Sequence, residues 1–229
     1  SDNNDGGRPA PTNIHKIYTS LSTEDADGNP QKKYYRKGVG TTGNRLRRLW
    51  EGGLGKGIEK DIQKAFVALA KYYEPGDRIY IMGFSRGAFT ARTITGIVNE
   101  VGLPDFRTSK VTEKERRKYA KNVFNQYLGK GKATVPTGLT FHQNPKVELL
   151  GAFDTVGALG VPDELDWFSY LINWIPGLGS TRLRFKDTEL SPIVEHARHA
   201  LAIDERRRSF TPTLWSNQNA NPNIKEKWF

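Results

Sequence analysis

The chain contains no cysteine, which excludes a disulfide framework, a cysteine-based metal site and a thiol nucleophile together. It also lacks any apolar run near the roughly 18 residues that cross a bilayer, and its polar start, Ser1-Asp2-Asn3-Asn4-Asp5, is no secretory signal. The expectation is therefore a soluble chain, with cytoplasmic and secreted-effector locations both open. Histidine is scarce as well, with 4 in 229 residues, so few groups are available as a general base. No internal repeat is visible.

What the chain has is enough apolar residue, 36% hydrophobic and 11% aromatic, to bury a core, and its length suits one domain over residues 1–229. Lys and Arg number 35 against 25 Asp and Glu, a net charge of +10 that favours phosphates, anionic lipid or nucleic acid. The densest runs are Arg45-Leu46-Arg47-Arg48 and Arg206-Arg207-Arg208. No DNA- or RNA-binding motif accompanies the charge, so only weak, salt-dependent, sequence-blind nucleic-acid binding is expected of it. A solubilising surface is the plainer reading of the same excess.

Periodicity predicts a first helix over 13–20, a short strand over 33–40 and a helix over 58–73 that stops at Glu74-Pro75-Gly76-Asp77. Residues 78–84 form a short apolar, β-branched run of the kind found in a buried central strand, and a helix follows from Arg86 to about Glu100. Further predictions are a charged helix over 113–128, a buried strand over 146–153, a helix from Ser191 to about Ile203, and the beginning of a strand at 225–229. Strands alternating with helices give an α/β class with a mostly parallel sheet covered on both faces.

Between the strand at 78–84 and its helix stands Gly83-Phe84-Ser85-Arg86-Gly87. A Gly-x-Ser-x-Gly match gains weight when a strand enters it and a helix leaves it, because the sharp turn lifts the serine hydroxyl out of the backbone for nucleophilic attack. On this reading Gly83 and Gly87 leave room where side chains would collide. The peptide N–H of Arg86 supplies half of an oxyanion hole, and an early loop supplies the other half.

An acid is expected after a later strand, and Asp154 ends the strand at 146–153, where its carboxylate could orient a histidine; a turn or cap role is the alternative. In this chain order the base follows the acid, which leaves His196 and His199 and excludes His15 and His142. Both remaining candidates fall on the helix predicted at 191–203. Such a histidine is as well suited to a hydrogen-bonded structural role as to catalysis.

Four segments carry a family resemblance: residues 79–95 around Ser85, Gly151-Ala152-Phe153-Asp154-Thr155-Val156-Gly157-Ala158-Leu159-Gly160, residues 198–207, and Phe210-Thr211-Pro212-Thr213-Leu214-Trp215. Together they resemble the uncharacterised α/β-hydrolase domain found in fungi and bacteria and in type VI secretion phospholipase effectors, over nearly the whole chain. The resemblance implies an α/β-hydrolase-like three-layer sandwich, with Ser85 as nucleophile, Asp154 as triad acid and lipid esters, among them phospholipids, as substrates. It also implies an opening strand with an Asp-Gly-Thr turn, of which Asp2-Asn3-Asn4-Asp5-Gly6-Gly7 would be a remnant, and a Gly-x-His-x-Asp-Val-Gly-Gly loop after the final Trp228-Phe229. Neither is intact, so the terminal strand and histidine loop are expected to be incomplete within residues 1–229, and the base is either His199 or a histidine beyond Phe229. The block containing His199 matches the family without fixing that residue's role.

Residues 161–187 are the expected place of a lid or insertion, with Trp167, Tyr170 and Trp174 set among aliphatics. Such a stretch suits either peripheral contact with an anionic membrane or packing on the core. The function expected from sequence is a cofactor-free, metal-free serine esterase or lipase working through Ser85, a histidine and Asp154. The alternative is an inactive hydrolase-fold module that binds lipid or a protein partner.

Overall fold

The computed structural model describes residues 11–37, 54–153, 189–203, 214–217 and 219–229, without the side chains of 54–58 and Arg86. The chain divides into two compact units, Ser1–Gly53 and Leu54–Phe229. In the first, helix α1 (Asn13–Ser20) begins at Thr12, whose side chain accepts the His15 N–H. The Asp25 carboxylate then accepts the N–H groups of Asp27 and Asn29 to close a turn. Residues 33–37 are irregular, not the strand expected there; 38–40 lie outside the described residues. The Tyr18 and Tyr35 rings stack 5.0 Å apart, and among the described residues this packing, not a strand partner, holds the segment.

The second unit carries helices α2 (Leu54–Tyr72), α3 (Arg86–Val101) and α4 (Glu113–Tyr127) and strands β1 (Ile79–Phe84), β2 (Val147–Phe153), β3 (Val194–Leu201) and β4 (Ile224–Trp228). Ile62, Phe66 and Ala70 put one buried face of α2 at helical spacing, and α2 ends where the Asp77 carboxylate accepts the Glu74 N–H. Helix α4 begins with a capping box, in which Thr112 and Glu115 satisfy each other's backbone amides.

The strands form one sheet in the order β1-β2-β3-β4, every neighbouring pair parallel. The α/β class expected from the alternation is thus observed. One expectation is corrected, on β3. Among the described strands β1 stands first in the sheet order, with Tyr80 and Phe84 exposed. Residues 194–201 are a strand, not a helix: Ala197, His199 and Leu201 are buried in alternation. Pairing on both sides, with β2 and β4, outweighs the helix-favouring alanines of that segment.

Helix α3 lies directly on β1 and β2, and α2 and α4 pack against it. Gly96 explains how closely α3 and α4 approach, because a Cβ there would meet the Tyr127 Oη at 2.4 Å. The described residues give the sheet and this helical layer; the second helical layer of a three-layer sandwich is not among them. Residues 225–228, read from sequence as the start of a strand, belong to β4, which pairs with β3.

Candidate active site

Because all four strands are parallel, Phe84, Phe153, Leu201 and Trp228 all end at the same edge of the sheet. That carboxyl edge is where open α/β sheets place their ligands. Ser85 stands there, between the last residue of β1 and the first of α3, half-buried. Its backbone has φ 54 and ψ −118, and among the described residues only Asn144 shares a positive φ outside glycine. Asparagine tolerates that region; a serine held in it is strained by about 1–3 kcal/mol, which surrounding structure must hold in place. Part of the restraint is visible. The Ser85 N–H donates to the Phe153 carbonyl at 2.9 Å, and the Ser85 carbonyl accepts the Ala88 N–H at 3.0 Å.

The two glycines of the motif play unequal parts. A Cβ on Gly83 would lie 2.1 Å from the Gly87 carbonyl oxygen and 2.4 Å from the Ala88 nitrogen, so only glycine lets α3 turn back over β1. Among the described residues a Cβ on Gly87 would meet nothing within 4 Å, so the collision expected at both glycines is found there only at Gly83. Crowding is one-sided because the backbone of Gly87, not its missing side chain, presses on β1. Helix α3 starts at Arg86, whose N–H is therefore one of the amides that a helix's own ladder leaves unpaired.

Asp154 lies outside the described residues, as do 161–187, where the lid was expected. Phe153, the residue before Asp154, pairs in register with Phe84, the residue before Ser85.

His199 is placed differently from a residue on a helix. It shares a cross-strand row with Gly83 and Ala152, and its β4 neighbour in register is Glu226. Two strand spacings separate it from Gly83 by roughly 10 Å, and Ser85 lies two residues further along. Its side chain is fully buried, and Nδ1 stands 3.3 Å from Glu226 Oε1, the oxygen that also accepts the Trp215 N–H. With that oxygen as acceptor, Nδ1 carries the proton. Nε2 is buried and has no hydrogen-bond partner among the described residues. The ring stands edge-on to Trp215 at 5.2 Å, and the Arg92 guanidinium of α3 lies 4.9 Å over the Trp215 ring.

Burial, and then the Arg92 charge, push the His199 pKa down to about 4, while burial pushes the Glu226 carboxyl up. A carboxylate neighbour alone would raise the histidine; enclosure dominates, so His199 is neutral at pH 7. The Glu226–Trp215–Arg92 surroundings of His199 were missed from sequence. Their signal was the parallel register of two strands, one of which was read as a helix.

His196 is exposed on β3, and His142 is packed against Tyr73 with its Nε2 3.9 Å from Asp105. Among the described residues no histidine hydrogen-bonds Ser85. No group of three or more His, Asp or Glu able to hold a metal occurs among them either.

Fold and site thus define an α/β protein built on a parallel sheet, with a strained serine at the strand-to-helix turn on its carboxyl edge. The family described as "T6SS, Phospholipase effector Tle1-like, catalytic domain" matches residues 1–229, and the chain belongs to it. The "Uncharacterized protein YEL023C" of Saccharomyces cerevisiae is 31% identical over 218 residues, covering 87% of this chain. The chain spans 29% of that relative's length. No solved structure matches. Among the described residues no helix is long and apolar enough to cross a membrane. The description of that family is of the catalytic domain of phospholipase effectors.

Proposed function

We propose that the chain is a serine hydrolase of the α/β-hydrolase type that cleaves carboxylic esters of lipids, phospholipids foremost. The observation that carries this reading is the backbone of Ser85, a non-glycine residue held at φ 54 between a parallel strand and a helix N-terminus. Strain of that kind is maintained where a side chain must be presented, and here the hydroxyl is presented at the sheet's ligand edge.

In the proposed reaction Ser85 Oγ attacks the ester carbonyl while a histidine takes the hydroxyl proton. The Arg86 N–H stabilises the oxyanion and the Asp154 carboxylate orients the histidine. Collapse of the tetrahedral intermediate breaks the ester bond, and the proton passes to the leaving alcohol. Water then attacks the acyl-serine, releasing the fatty acid and restoring the hydroxyl.

Two sources are open for the histidine. His199 satisfies chain order, yet its enclosure and its bond to Glu226 suit a tie between β3 and β4. The backbone at Phe229 reaches the same carboxyl edge as Ser85 but three strand spacings away, roughly 14 Å, so a histidine following Phe229, as the family resemblance implies, would serve as the base only on a loop that runs back along that edge.

The test is fatty-acid release from phospholipid vesicles by this chain and by a version extended beyond Phe229, each compared with Ser85→Ala. Release that vanishes with Ser85→Ala supports the reading, and release unchanged by it refutes it. The buried state of His199 favours a second reading, an inactive module that binds lipid, which predicts vesicle binding without release in both versions.

A further inference from the structure

Helix α4 turns one face inward and another wholly outward. Tyr119, Ala120, Val123, Phe124 and Tyr127 are buried. Lys114, Lys118 and Lys121 are all exposed. At 100° per residue these lysines fall within an arc of about 60°, opposite the buried face, and span about 10 Å along the axis. Exposed Lys110 precedes the stripe, and exposed Lys130 and Lys132 follow it.

Nearby carboxylates are already engaged. Glu113 accepts from Lys71 at 2.7 Å and from Arg117 at 3.1 Å, and Glu115 closes the capping box on Thr112. Among the described residues Lys114, Lys118 and Lys121 form no ion pair. The helix therefore keeps uncompensated positive charge along one straight, solvated line. Such a line, straight, solvated and continued by Lys110, Lys130 and Lys132, matches an extended anionic plane, which can meet all of its charges at once.

The geometry points to the outer face of α4 as a docking surface for anionic lipid bilayer. This rests on the lipid-ester reading above, since a bilayer is then the form in which the substrate is met. Each lysine at such a surface strengthens binding about fivefold, so the three together contribute on the order of 100-fold at low ionic strength. Salt weakens the attachment within a Debye length.

The test is co-sedimentation with vesicles of phosphatidylcholine alone and of phosphatidylcholine mixed with phosphatidylserine. Three proteins are compared: the chain, a Lys114→Gln/Lys118→Gln/Lys121→Gln variant, and a Lys16→Gln/Lys60→Gln/Lys64→Gln variant that removes the same charge elsewhere. The expected result is binding only to the phosphatidylserine vesicles, weakened about 100-fold in the first variant and only a few-fold in the second. No binding, equal loss in both variants, or displacement by a DNA duplex as strong as by anionic vesicles would each overturn the proposal. Hydrolysis of a soluble monomeric ester, with Ser85→Ala as its control, keeps the two readings apart. Ser85-dependent hydrolysis without vesicle binding refutes docking alone; Ser85-independent hydrolysis with stripe-dependent binding refutes the hydrolase reading alone.

Discussion

Replacing each glycine of the serine motif by alanine distinguishes the two positions sharply. In Gly83→Ala the new Cβ would lie 2.1 Å from the Gly87 carbonyl oxygen, where ordinary contact begins at 3.4 Å. The shortfall of about 1.3 Å cannot be relieved by rotating a side chain, because both opposing groups are backbone. Either α3 lifts from β1 or β1 shifts against β2, and the hydrogen bond from the Ser85 N–H to Phe153 lies in the path of either movement. Overpacking of this kind costs about 3 kcal/mol or more, and in a protein of this size that lowers Tm by on the order of 10 °C. In Gly87→Ala the Cβ meets nothing within 4 Å among the described residues, and helix propensity favours alanine by up to about 1 kcal/mol. Differential scanning calorimetry of the two variants is the assay. A Gly83→Ala variant as stable as the parent, or a Gly87→Ala variant destabilised as much as Gly83→Ala, would refute this account of the turn.

A pH dependence follows from His199. Its folded pKa of about 4 lies below the ordinary 6.5, so between those values the unfolded chain binds a proton that the folded chain refuses. Stability is therefore full above pH 6.5 and falls as pH drops towards 4, by at most roughly 3 kcal/mol. The raised Glu226 pKa acts in the opposite sense near its own titration and trims that loss. Urea midpoints measured from pH 7 to pH 5 should fall more steeply for the parent than for His199→Gln; parallel curves would contradict the assignment. Thr112→Ala removes one half of the α4 capping box and should cost about 1 kcal/mol by chemical denaturation, whereas an unchanged midpoint would show that the cap is redundant.

How much of this was legible in the sequence divides along local and non-local lines. The strand at 79–84, Ser85 and the helix from Arg86 could be read because a short apolar run, a glycine and a helix start are adjacent in the chain. So could α2, whose apolar face repeats at helical spacing and whose stop at Glu74-Pro75-Gly76-Asp77 is written in turn residues. The strand at 194–201 was misread because Val194, Ala197 and Leu201 fit a helical period as well as a strand, and only pairing with β2 and β4 decides between them. That error hid the His199–Glu226 contact, which spans 27 residues and exists only through parallel register. The one-sided crowding at Gly83 is likewise set by how α3 lies on the sheet, which no local pattern encodes.

The central claim, that Ser85 is an activated nucleophile, is tested most directly by a fluorophosphonate probe whose attachment site is located by peptide mass. The account predicts labelling at Ser85 in this chain or in a version extended beyond Phe229, abolished by Ser85→Ala. Labelling of the short chain would favour His199 as the base, and labelling of the extended one alone would place the base after Phe229. An unlabelled Ser85 in both, with the fold intact, would contradict the claim.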